Sequence, residues 1–299
     1  ARDTNPALAA REVVNFTDVS ACGTATAISL PCMFQELGRR DYRSIHARSR
    51  EGLLDVLQRA GLAVLWRDNN SGCKGACDRV PTEDIGKQKI EALCNADGCF
   101  DEALLAGLGE RIERSTGDTL IVLHMLGSHG PAYYKRYPEA FRVFTPACET
   151  SQLDKCSNAE IVNAYDNSIL YTDHVLGRVI DLLNSKSAQF DTAMLYVSDH
   201  GESLGEKGVY LHGLPYAMAP TEQTRVPMVA WLSDAWSRRT GVSASCLREQ
   251  QDTPLSHDNL FHSVLGMMGV QTSVYRPELD LFRPCTPGVH AVALSGEAD

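Results

Sequence analysis

The sequence predicts an α/β fold with a mostly parallel central sheet covered by helices on both faces. Two observations carry this. Helix-period and strand-like runs alternate through the middle of the chain, and the strand runs are continuously apolar, as in strands buried on both faces. A third agrees with them: polar, titratable segments follow successive strand runs, where an open α/β sheet gathers its ligands.

EGLLDVLQRA (51–60) has helical spacing with Gly61 as its C-terminal stop, and LAVLW (62–66) is a buried-strand run. FDEALLAGLGERIERS (100–115) reads as one amphipathic helix, and DTLIVLHML (118–126) as the next strand. A long helix starts at Ser157, where Ser157 and Glu160 form a capping box and Ile161, Tyr165, Ile169, Leu176, Ile180 and Leu183 recur at helical spacing. AMLYVS (193–198) and VPMVAWL (226–232) are the third and fourth strands, DNLFHSVLGMM (258–268) is a closing helix, and GVHAVALSGEAD reads as a frayed tail.

The chain has 299 residues and a hydrophobic fraction of 43%, enough for one large α/β domain. A net charge of −10 excludes a nucleic-acid binder of the usual kind, which needs a basic stripe, but not a site for one phosphate. No run reaches the roughly 18 apolar residues of a membrane span. The sequence opens at Ala1 without Met and without a leader pattern, so it reads as a domain cut from a longer protein.

Ten cysteines stand out. The simplest reading pairs them in sequence in an oxidising compartment such as a bacterial periplasm: Cys22–Cys32, Cys73–Cys77, Cys94–Cys99, Cys148–Cys156 and Cys246–Cys285. The rival is a zinc site built from CKGAC and CNADGC, and spacing alone does not decide.

Three strand ends converge chemistry on one edge. LAVLW is followed by Arg67, Asp68, Asn69 and Asn70 and then SGCKGAC with Lys74. DTLIVLHML leads into GSHGP, with His124 and His129, and AMLYVS into DHGESLGEKGVYLHG, with Asp199, His200 and His212. A carboxylate beside imidazoles suits Zn²⁺, with a glycine after each of His129, His200 and His212 letting the backbone turn. The plainer alternative is a set of hydrogen-bonded loop histidines. His46, His174, His257, His262 and His290 read as ordinary core or surface residues. GESLG (201–205) matches the nucleophile elbow around Ser203, but the preceding strand ends too early and no helix follows. In ACGTATAISLPC (21–32), Thr26 would open a helix, where free N–H groups favour a phosphate and a metal could lower the hydroxyl pKa.

NFTDVSACGTATAISLPCMF, DNNSGCKGACDRVP, GSHGPAYYKRYP, YDNSILYTDHVL and YVSDHGESLGEKGVYLHGLPYAMAP together resemble the lipid A phosphoethanolamine transferases, including the mobile colistin-resistance enzymes. The likeness runs from RDTNP to FRPC. It implies an alkaline-phosphatase and sulfatase type of fold over residues 1–285, with a C-terminal tail at 286–299. The family's domain follows transmembrane helices and faces the periplasm. By position, Thr26 is the nucleophile that carries phosphoethanolamine, and Thr26, Asp199 and His200 ligate a catalytic zinc. His129 and His212 bind a second zinc or the phosphate. Asn70, Lys74 and His124 contact substrate, His124 or His212 protonates the leaving group, and neighbouring cysteines pair. The donor is phosphatidylethanolamine and the acceptor a lipid A phosphate, with membrane contact through the upstream spans and a monomer as the default state. One departure stands out: the family's glutamate ligand would fall before Ala1. Two rivals follow. One is a hydrolase of the same superfamily, although GTATAISLP and CMFQE lack the sulfatase C/S-x-P/A-x-R pattern. The other is a non-catalytic lipid-binding domain.

Overall fold

The computed structural model describes residues 2–47 and 49–286. Two three-stranded sheets form the centre. In the first, β3 (Ala63–Asp68) lies between β4 (Thr82–Asp84) and β5 (Thr119–His124), all parallel, and Asp68 stands opposite His124. In the second, β7 (Met228–Leu232) lies between β1 (Val14–Phe16) and β6 (Ala193–Val197) and is antiparallel to both.

Side chains of both sheets enter the same two helix layers. Leu120 and Val122 of β5, with Leu195 and Val197 of β6, pack against α1 (Thr26–Met33), α2 (Leu53–Arg59) and α5 (Asp258–Met267). Leu123, Met194 and Tyr196 face the other way, toward Leu176, Val179 and Ile180 of α4 (Asn158–Lys186). The alternation along β6 therefore shows a sheet buried on both faces, the predicted α/β class.

Two expectations need correcting. The fourth strand run pairs antiparallel, so the sheet is more mixed than its apolar runs suggested. Parallel pairing needs a crossover back to the far edge, whereas residues 198–227 carry only short elements and feed β7 from the end where β6 stops. The 100–115 segment is also not one helix. A 3₁₀ turn, Asp101–Leu105, is separated from α3 (Leu108–Glu113) by extended Ala106 and by Gly107 at φ +67°. Buried Asp101 holds the turn by accepting the N–H groups of Leu126 and Gly127 and an Asn69 side-chain N–H.

The α4 start matches its capping box, with Ser157 accepting from the Glu160 N–H and Glu160 accepting from that of Ser157. All ten cysteines are in the five sequential disulfides, which removes the cysteine zinc site. The expectation of a frayed tail falls on 287–299, outside the described residues, as does His290. Among the described residues no helix is long and apolar enough to cross a membrane.

Candidate active site

Thr26 is the first residue of α1, capped by extended Ala25. The first intrahelical bonds come from the Ile28 and Ser29 N–H groups to Ala25, so the N–H groups of Thr26 and Ala27 lie ahead of the ladder. The turn is anchored on three sides. The Cys22–Cys32 bridge closes it, Thr24 Oγ1 donates to the Leu214 carbonyl at 2.6 Å, and Ser29 Oγ donates to the Asp199 carbonyl.

The Thr26 hydroxyl faces His200 Nε2 at 3.3 Å. His200 Nδ1 lies 2.9 Å from the Gly201 carbonyl. A carbonyl only accepts, so Nδ1 carries the proton and Nε2 keeps its lone pair. The same logic applies to His129, whose Nδ1 meets the Gly130 carbonyl at 2.6 Å, and to His212, whose Nδ1 meets Glu202 Oε2 at 2.6 Å. The three rings touch: His200 and His212 centroids are 4.1 Å apart, and those of His129 and His212 5.2 Å. Asp199 sits at the end of β6 with its Oδ2 3.8 Å from His200 Nε2.

Three imidazoles with Nδ1 pinned by oxygen, beside a carboxylate and a hydroxyl, suit a metal ion on their Nε2 side. Oxygen acceptors behind the rings are the arrangement that orients metal-binding histidines. Ligand atoms of His200, Glu202 and His212 lie within 4.8 Å of one another. Glu202 is the residue the sequence reading missed. Its other oxygen, Oε1, accepts from the Tyr133 hydroxyl at 2.5 Å, so both oxygens are engaged and it acts as the brace of His212. Its bond raises the His212 pKa against the opposing effect of burial, while burial lowers that of His129. Its place two residues after His200 was the available signal.

His124, Asn70 and Lys74 form a second group at the ends of β5 and β3. His124 Nδ1 is 3.1 Å from Asp68 Oδ2, and Asn70 Nδ2 donates to the Met125 carbonyl at 3.0 Å. Lys74, exposed at φ +53°, donates to Ser71. Burial alone would raise the Asp68 pKa, but bonds from His124, Trp66 Nε1 and the Asn70 N–H outweigh it and hold the carboxyl at about 2. Asp68 thus orients His124 as Glu202 orients His212.

His257, expected to be an ordinary core residue, is fully buried behind the Thr26 turn. Its Nδ1 accepts from the Cys22 N–H and its Nε2 donates to the Ser198 carbonyl, each at 2.9 Å. Ser203 is buried in the short strand Ser203–Leu204 with its hydroxyl against Gln223 Nε2, so no nucleophile elbow exists there. Of the three His-Gly glycines, only Gly213 has a positive φ, +96°; Gly201 is required by packing, since a Cβ there would lie 2.0 Å from the Glu222 carbonyl oxygen.

The fold is of the alkaline-phosphatase and sulfatase type, with the candidate site at its strand ends. The sulfatase family matches residues 1–270, and the chain belongs to that family and, within it, to the phosphoethanolamine transferase branch. It is 50% identical over 285 residues to phosphoethanolamine transferase EptA of Salmonella typhimurium, covering 95% of this chain and 52% of that protein. The soluble domain of lipooligosaccharide phosphoethanolamine transferase A from Neisseria meningitidis superposes with a TM-score of 0.92 at 45% identity, covering 95% of this chain and 86% of that one. The integral membrane form of that Neisseria enzyme gives 0.93 at 45% identity, covering 96% and 54%. The chain spans about half the length of the curated relative, 52% for EptA of Salmonella typhimurium.

Proposed function

We propose that this chain is the periplasmic catalytic domain of an inner-membrane enzyme that transfers phosphoethanolamine from phosphatidylethanolamine to a lipid A phosphate. The observation that carries this reading is Thr26 at a helix N-terminus, its hydroxyl 3.3 Å from a lone-pair-bearing His200 Nε2. Thr26 Oγ1 attacks the phosphorus of the donor, diacylglycerol leaves with a proton, and a phosphoethanolamine–threonine ester remains. A lipid A phosphate oxygen then attacks the same phosphorus and frees Thr26. A zinc ion held by Thr26, Asp199 and His200 would supply the charge that makes the threonine oxygen nucleophilic at neutral pH.

The chain's own groups do the rest. The Thr26 and Ala27 N–H groups and the α1 dipole favour the phosphate oxygens. His129 and His212 present Nε2 toward the same space, for the phosphate or for a second zinc. His124, its Nδ1 bonded to Asp68, would carry on Nε2 the proton that the leaving oxygen takes, with His212 as the other candidate. Asn70 and Lys74 bind the headgroup from the β3 end. The modification removes net negative charge from lipid A and so weakens its attraction for cationic peptides such as polymyxins.

The test is intact-mass and peptide-mapping analysis of the chain extended upstream, with zinc, after incubation with phosphatidylethanolamine. A phosphoethanolamine adduct on the Thr26 peptide, absent in Thr26→Ala, is expected. Lipid hydrolysis that persists in Thr26→Ala without any adduct would move the chemistry to water and make the protein a hydrolase.

A further inference from the structure

The chain is acidic, at −10 overall, yet residues 38–50, GRRDYRSIHARSR, hold five arginines against one aspartate. This reversal of sign lies beside the Thr26 helix. The short helices Gly38–Asp41 and Ser44–Ala47 both pack against α1. Arg39, Arg40 and Arg43 are exposed, and Arg40 and Arg43 have no carboxylate partner among the described residues. The Arg39 guanidinium lies over the Tyr216 ring at 4.3 Å, which joins this segment to the loop that follows His212.

Apolar exposure collects in the same place. Among the described residues five large hydrophobic side chains are exposed, and three belong to these segments: Ile28 on α1 at 50%, Ile45 at 78%, and Met218 in the Tyr216 loop at 75%. Thr24 Oγ1 ties that loop to the nucleophile turn through the Leu214 carbonyl. Cationic side chains mixed with protruding aliphatic ones are the pattern of a face that sits in a lipid–water interface. There guanidinium groups meet anionic headgroups and the aliphatic tips enter the acyl boundary.

We infer that Arg39, Arg40 and Arg43, with Ile28, Ile45 and Met218, form a peripheral docking face for an anionic phospholipid bilayer surface. It flanks the Thr26 turn, so that a lipid headgroup reaches the threonine without leaving the interface. The role of this face in lipid delivery rests on the transfer reading above, but binding does not require transfer.

The 299-residue chain, as wild type and as Thr26→Ala, is titrated without added metal into vesicles of phosphatidylcholine alone, with phosphatidylglycerol or with lipid A, and partition is read by co-sedimentation. Binding is expected on the anionic vesicles, reduced on neutral ones, weakened by salt and unaffected by Thr26→Ala. With about 1 kcal/mol per arginine near such a surface, each neutralisation lowers partition roughly fivefold, and Arg39→Gln/Arg40→Gln/Arg43→Gln together lower it about a hundredfold. The double variant Arg40→Gln/Arg43→Gln, which leaves the Tyr216 contact intact, is expected to lose roughly 25-fold at an unchanged thermal midpoint. Met218→Ser weakens binding on the same vesicles without changing its salt dependence. Equal partition to neutral and anionic vesicles, or wild-type binding by the double variant, would overturn the inference. So would binding seen only when lipid A is included, which would make the arginines a site for acceptor phosphates. Failure of the transfer reading alone would leave these binding results unchanged.

Discussion

His257 gives the sharpest test of how the site is held together. It is buried between the Cys22 N–H and the Ser198 carbonyl, on the parallel pairing of β2 (Val19–Ser20) with β8 (Leu255–Ser256). Burial is the main cause of a pKa lowered from 6.5 to about 4, opposed by the Ser198 bond and by Asp199. The sign follows from linkage. Below 6.5 the unfolded chain takes up a proton that the folded chain refuses, so stability falls as pH drops from 6.5 toward 4. Between pH 7 and pH 5 the loss comes to about 2 kcal/mol. The perturbation is His257→Gln, which keeps a polar side chain but cannot titrate, at an added cost of about 1–3 kcal/mol at neutral pH for the unmatched partner. Urea unfolding in the presence of chelator, at pH 7, 6 and 5, gives both numbers. His129, lowered by burial, acts below its ordinary 6.5, and His212, raised by Glu202, acts above it, so the quantity to read is the difference in slope between wild type and variant. Identical pH slopes for the two proteins would refute the argument that this buried imidazole is held neutral.

Three further outcomes are expected. Glu202→Gln removes the charge that raises His212, so its pKa falls toward 6.5 in an NMR titration, and metal affinity by calorimetry drops about 10–100-fold. Asp68→Asn removes a carboxyl whose folded pKa of about 2 lies below its ordinary 3.8. That carboxyl gives about 2 kcal/mol present above pH 4 and lost as pH falls toward 2, so the variant shows a shallower acid-unfolding slope by circular dichroism. Gly201→Ala drives a Cβ to 2.0 Å from the Glu222 backbone oxygen, which must move, and it lowers stability by about 2 kcal/mol or more in a thermal melt.

Local signals determined much of this protein. The capping box fixed the start of α4 because its two hydrogen bonds lie within one turn of chain. Gly61, at φ +94°, ended α2 where a left-handed residue was required. The candidate site residues at the ends of β3, β5 and β6 could be picked out because residues that follow strands in an α/β sheet share one edge. Tertiary structure decided what depended on partners far apart in the chain. Asp68 acts through His124, 56 residues away, and His257 through Cys22, 235 away, so neither carried a local sign of its role. Glu202 was visible in DHGES, but its task came from His212 and from Tyr133 on a separate loop. The direction of β7 lay beyond the pattern for the same reason. An apolar run records burial on two faces, while the path of residues 198–227 decides from which end the strand enters.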